Sequence, residues 1–181
     1  GVARDYGLQF SSGKWVWFLD DDDELDPKGL KTLVDALSSE FRKEDVIAHS
    51  LQNDYSNHEG ELAEKIIKKL LYFREKQEVF NYIFRREFLL SNEIKFSEGF
   101  HEDIRYLYQV FSEMSGFHIL PRRVVLKRNS EEAITSKMTN ARIDGYFRAF
   151  LEIVDYASSN RKKLRTLLDV DELFSQTLGV I

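Results

Sequence analysis

No cysteine occurs anywhere in the 181 residues. That absence removes disulfides, thiolate metal sites and cysteine nucleophiles together, and it fits a reducing, cytoplasmic setting. Long apolar runs are missing too. No stretch reaches the length of a membrane span, and no charged-then-apolar leader opens the chain. Positive charge is not in excess: 26 Lys and Arg face 31 Asp and Glu, for a net charge of -5, which argues against nucleic acid as a partner. The four histidines, His49, His58, His101 and His118, show no ligand spacing for zinc. Internal repeats and low-complexity linkers are also absent. What remains is a chain that is 43% hydrophobic and 31% charged, long enough for one globular domain with a small appendage. Fourteen Phe and eight Tyr predict a well-filled aromatic core.

Apolar spacing orders the chain into alternating elements. Val2 to Phe10 suits a short helix with Ala3, Tyr6, Leu8 and Phe10 inward, stopped by Ser11-Ser12-Gly13. Trp15 to Leu19 is a continuous apolar run and predicts a buried strand, central in a sheet. Asp26-Pro27 opens a second helix, with Leu30, Leu33, Val34 and Leu37 as its buried stripe. A strand over 45–51, a polar loop over 53–60 and a helix over 61–75 follow. Next come an apolar stretch from Val79 to Phe84, a short helix from Arg85 to Leu90 and a helix from Glu102 to Ser115. In the last of these, Ile104, Leu107, Tyr108 and Phe111 face inward. Phe117 to Leu126 reads as a strand at an edge or a bulge because of Pro121. Helices over 139–159 and 162–178 close the chain. The pattern predicts an α/β unit over residues 1–137 and a helical tail over 138–181.

Chemistry concentrates directly after the first predicted strand. Asp20, Asp21, Asp22 and Asp23 are four adjacent carboxylates, which repel one another. A divalent, oxygen-seeking cation such as Mn²⁺ or Mg²⁺ relieves that repulsion, being held by one or two carboxylates together with substrate phosphates. Ligands of open α/β sheets also bind beyond the carboxyl ends of strands. A solvated loop capping the next helix is the plain alternative. An EF-hand fails on spacing. An aspartate-nucleophile phosphatase, with Asp20 and Asp22 as its Asp-x-Asp, is a closer rival, although Glu24 stands where such enzymes carry Thr or Val.

Three ordered blocks then carry a resemblance. The first runs from Gly1-Val2-Ala3-Arg4-Asp5-Tyr6-Gly7-Leu8 through Gly13-Lys14-Trp15-Val16-Trp17-Phe18-Leu19-Asp20-Asp21-Asp22-Asp23 to Leu25-Asp26-Pro27. The second spans Phe80 to Leu89, then Ile94-Lys95-Phe96, then His101-Glu102-Asp103. A weaker third joins Lys127-Arg128 to Ile134-Thr135-Ser136. Their order and separations resemble glycosyltransferase family 2. The resemblance implies a partial GT-A fold, a Rossmann-like mixed sheet flanked by helices, and an inverting transfer from a nucleotide-sugar donor to a saccharide or lipid-linked acceptor, as in bacterial surface polysaccharide assembly. It implies that Asp20 and Asp22 are the Asp-x-Asp metal motif, with Asp20 also near the donor and Asp23 a neighbouring polar contact. It further implies that Arg4, Asp5 and Arg128 belong to the donor side. Asp103 then takes the place of the general base, with Glu102 beside it as the alternative.

Several positions depart from the family pattern. Asp5 stands where Asn is usual, Tyr82 replaces a common Lys, and Ser130 sits where many relatives place His or Arg. The strand and helix that carry the base-binding carboxylates in the family are not among these 181 residues. These residues are therefore expected to be a portion of such an enzyme that transfers no sugar alone. The same expectation leaves apolar surface at the edge of the Trp15 strand for self-association. Arg161, Lys162, Lys163 and Arg165 are a candidate for peripheral contact with an anionic membrane, against the commoner solvated helix face.

Overall fold

The computed structural model describes residues 1–21, 23–39, 44–49, Lys69, 78–120, 122–126 and 139–159. It is an α/β fold with a mixed, open sheet flanked by helices and a C-terminal helical segment. The strands are β1 (Trp15–Trp17), β2 (Glu24–Leu25), β3 (Val46–Ala48), β4 (Tyr82–Arg85), β5 (Phe117–Ile119) and β6 (Val125–Leu126). The helices are α1 (Val2–Phe10), α2 (Pro27–Ser39), α3 (Arg86–Ser91), α4 (Glu102–Glu113) and α5 (Asn140–Ser158). The main sheet runs β1-β4-β3-β5; among the described residues β3 and β5 pair in parallel and the other neighbours antiparallel. A two-stranded ladder of β2 and β6 stands apart from it.

Side chains alternate between the two faces of the main sheet, as the strand period of two requires. Val16, Val46, Ala48, Tyr82 and Phe84 point into the larger core, under α4 and α5. Trp15, Trp17, Ile47 and Ile83 point the other way, toward Leu30, Leu33 and Leu37 of α2. The larger core is built around rings. Phe18 meets Phe84, Phe96 and Tyr106 edge-on or tilted, and Phe96 stacks flat on Tyr106 at 3.8 Å. Burying each such ring contributes about 1.5–3 kcal/mol.

The strand expected to be central is an edge strand among the described residues: β1 pairs only with β4. A continuous apolar run reports two covered faces, and β1 has both. It does not report two paired edges. The predicted 117–126 strand divides into β5 and β6, which belong to different sheets. On α1 the inward side is Arg4 and Leu8, whereas Val2, Tyr6 and Phe10 are 67%, 64% and 72% exposed. On α2, Val34 faces out and Ala36 packs inward in its place. Asp26 caps α2 as expected, its Oδ2 accepting from the Gly29 N–H at 2.8 Å. The four inward positions of α4 are buried as read. No described helix is long and apolar enough to cross a membrane. The readings over 53–60, over 61–75 apart from Lys69, and over 162–178, and the basic cluster Arg161–Arg165, lie outside the described residues.

Candidate active site

The charged groups converge where β1 and β3 end and β4 begins. Arg4 sits on the inner face of α1 and reaches three carboxylates. Its Nη1 donates to Asp103 Oδ1 at 2.6 Å and to Glu102 Oε1 at 3.3 Å, while Nη2 donates to Asp20 Oδ1 at 2.8 Å. One guanidinium thus ties Asp20, beyond the end of the first strand, to Glu102 and Asp103, which lie 98 and 99 positions from Arg4 itself. Burial works against the Arg4 charge, but Asp103, Asp20 and Glu102 outweigh it and raise the pKa above its ordinary value. The guanidinium also lies 5.4 Å from the centre of the Phe96 ring, within cation–π range.

Asp103 occupies the first turn of α4, where the helix dipole favours a carboxylate. Its Oδ2 accepts from the Val79 N–H at 2.9 Å. Val79 opens a 3-10 turn, Val79–Asn81, that leads into β4. The Phe80 carbonyl in that turn accepts from Trp17 Nε1 at 2.7 Å and meets His49 Nε2 at 3.0 Å, a contact that requires the proton on Nε2. Both oxygens of Asp103 are therefore held from parts of the fold that are themselves anchored. Burial pushes the Asp103 pKa up to about 6, against the pull of Arg4 and the Val79 amide, with Glu102 and Asp20 adding to the rise. A carboxylate poised there takes protons near neutrality.

Of the residues singled out from sequence, the structure brings Arg4, Asp20, Glu102 and Asp103 together. Asp5 points elsewhere: its Oδ1 accepts from the Phe96 N–H at 3.2 Å and ties α1 to the segment before α4. Asp23 lies in the turn after β1, with its N–H 3.3 Å from the Asp20 carbonyl. Asp22 and Arg128 lie outside the described residues, as does Ser130. Tyr82 is fully buried against Phe84 and Phe111, so its side chain belongs to the core rather than to an acceptor surface. Among the described residues, no group of three or more His, Cys, Asp or Glu is gathered as a metal site. The carboxylates of Asp20 and Asp22 are nonetheless the donor type that Mg²⁺ or Mn²⁺ takes when phosphates complete the shell.

Sequence reasoning missed the Val79 amide and the pair His101–Tyr146. A backbone N–H has no sequence signature at all. In the sequence His101 stands out only by lying close to Asp103. In the fold it is the N-terminal boundary residue of α4, in left-handed conformation (φ 64°), with its ring stacked on Tyr146 of α5 at 3.6 Å. Burial lowers its pKa to about 4, with Arg142 adding to the effect and Glu102 opposing it, so the ring is neutral at physiological pH.

Comparisons with known proteins bear on the fold and on the family. Among solved structures, that of S. aureus TarS 1-349 superimposes with a TM-score of 0.66 and 15% identity, covering 99% of this chain and 51% of that one. Its complex with UDP-GlcNAc matches with a TM-score of 0.65 and 15% identity, over 96% of this chain and 51% of that one. A longer TarS structure gives 0.61 and 16%, over 99% and 30%. This chain therefore spans about half the length of TarS 1-349. No curated protein sequence matches it. The family model described as glycosyl transferase family 2 matches residues 1–106. With more than half of its residues in that match and its charge cluster assembled from both ends of it, the chain belongs to glycosyl transferase family 2.

Proposed function

We propose that this chain supplies the metal-binding and acceptor-side half of a GT-A-type, inverting glycosyltransferase. It would transfer a sugar from a nucleotide-sugar donor to a saccharide or lipid-linked acceptor, in assembly of a bacterial surface polysaccharide. The observation that carries the reading is the half-buried Asp103 carboxylate, held at both oxygens by Arg4 and the Val79 amide and with its pKa raised to about 6. Family membership supports the transfer chemistry and leaves the phosphatase alternative without support. The similarity to a TarS structure in complex with UDP-GlcNAc supports a nucleotide-sugar donor.

In this reading Asp103 is the general base. Each of its oxygens commits one lone-pair direction to Arg4 or Val79 and keeps another for a proton. The acceptor hydroxyl gives its proton to that carboxylate as its oxygen attacks the anomeric carbon. Attack opposite the departing nucleoside diphosphate inverts the configuration, through an oxocarbenium-like state. Arg4 sets the distance between the base and Asp20, and so between the acceptor and donor sides. A Mn²⁺ or Mg²⁺ ion held by Asp20 and Asp22 would neutralise charge on the diphosphate. Glu102 shares Arg4 and keeps the local field negative, which helps a proton arrive.

Donor binding and transfer are both tested on the full-length protein, since the chain spans about half of TarS 1-349. Asp103→Asn should lower kcat roughly 10²–10⁴-fold while calorimetry still registers donor binding with Mn²⁺. Asp22→Ala should abolish the metal dependence of donor binding. Turnover by Asp103→Asn within a few-fold of wild type would remove Asp103 from the mechanism.

A further inference from the structure

The helix α5 lies along α4 through Gly145, Ala149, Ile153 and Ala157, which recur every fourth position and are all buried. Its first two turns do more than pack. They cover the segment 98–101 that leads into the two carboxylates of α4. A Cβ added at Gly145 would come within 2.8 Å of the Phe100 carbonyl oxygen and 3.1 Å of His101 Cδ2, so the helix backbone rests directly on this turn. Arg148 Nη1 donates to the Glu98 carbonyl at 3.4 Å. Tyr146 stacks on the His101 ring at 3.6 Å, with 23° between the planes.

The turn needs such support. Gly99 (φ 95°) and His101 (φ 64°) both occupy positive φ, a region that a residue with a side chain disfavours. The His101 Nε2 is covered and has no hydrogen-bond partner among the described residues, so the stack and the packing of α5 hold the ring. His101 is followed immediately by Glu102 and Asp103, and Asp103 reaches the Val79 N–H across the site. A shift of the turn therefore moves the carboxylate, and misplacement by about 1 Å can cost on the order of 100-fold in rate.

We propose that Tyr146 and Gly145 of α5 are positioning residues for sugar transfer: they lock His101 in its left-handed conformation and thereby fix Asp103 against Arg4 and Val79. This rests on Asp103 acting as the base. The C-terminal helix then serves catalysis through the turn that it holds.

The test combines kinetics of the full-length protein with amide exchange. Tyr146→Ala should lower kcat roughly 10- to 100-fold with KM for the donor within about two-fold. Tyr146→Phe, which keeps the ring, should recover most of that loss. In residues 1–181, Tyr146→Ala should speed exchange of the Val79 amide while leaving the Ile83 amide, deep in β4, as protected as in wild type. Gly145→Ala should reproduce both effects and serves where Tyr146→Ala fails to fold. Equal loss of protection at Val79 and Ile83 would make the pair ordinary packing and overturn the proposal. Unchanged kcat with unchanged Val79 exchange would overturn it as well. Failure of the base assignment is distinguishable: Asp103→Asn would then retain turnover, while Val79 exchange still reports whether the turn is held.

Discussion

The two faces of the main sheet are made from the same strands and do different work. On one face, Val46, Tyr82 and Phe84 meet a dense set of rings beneath α4 and α5, and the charge cluster of Arg4, Asp20, Glu102 and Asp103 sits at its rim. On the other, Ile47 and Ile83 meet Leu33, Leu120 and Val124 under α2. The ring-filled face half-buries the Asp103 carboxylate. The α2 face closes the sheet and carries Trp17, whose Nε1 anchors the turn that holds Asp103. Position alone separates the faces, since neighbouring residues of one strand supply both.

Truncation on the two faces should sharpen the contrast. Phe84→Ala, fully buried in the ring core, is expected to cost about 4 kcal/mol, and Ile83→Ala about 3 kcal/mol, by urea unfolding. A larger loss for Ile83→Ala would reverse the ranking. The pH dependence of stability isolates the site. The folded pKa of Asp103, about 6, lies above its ordinary value of 3.8, so the folded state holds this proton more tightly than the unfolded chain does. Its contribution is complete below about pH 4 and is lost as pH rises through about 6. Asp103→Asn should remove that loss, so the stability difference between variant and wild type should move in favour of the variant by on the order of 2 kcal/mol between pH 4 and 8. A difference that does not change with pH would contradict it. The smallest effect belongs to the α2 face: Asp26→Ala removes a helix cap and should cost about 1 kcal/mol.

Much of the fold was legible in the sequence, for physical reasons that particular residues make plain. Ser11-Ser12-Gly13 ends α1, Asp26-Pro27 begins α2 and Thr139 caps α5, accepting from the Arg142 N–H; each is a local signal that the fold keeps. The inward face of α1 was not legible, because apolar side chains lie on both sides and the buried one is shared with an arginine. Tyr6 and Phe10 meet each other at 4.6 Å on the outside, while Arg4 turns in because three carboxylates wait there. The edge position of β1 could not be read either, since apolarity records covered faces and says nothing of hydrogen-bonded neighbours. The site was read as separate pieces. That Asp20 and Asp103 share one guanidinium depends on the packing of α1 against α4, which no local spacing encodes. The role of Val79 is carried by a backbone N–H, and that of Tyr146 by a helix read as a tail.

The most direct test of the central claim is the pH dependence of kcat/KM for transfer by the full-length protein, with saturating Mn²⁺, in wild type and Asp103→Asn. A base with a pKa of about 6 predicts that wild-type activity rises with pH through that value and levels above it, and that the residual activity of Asp103→Asn lacks this limb. A limb near pH 6 that persists in Asp103→Asn, or a flat wild-type profile from pH 5 to 8, would contradict the account.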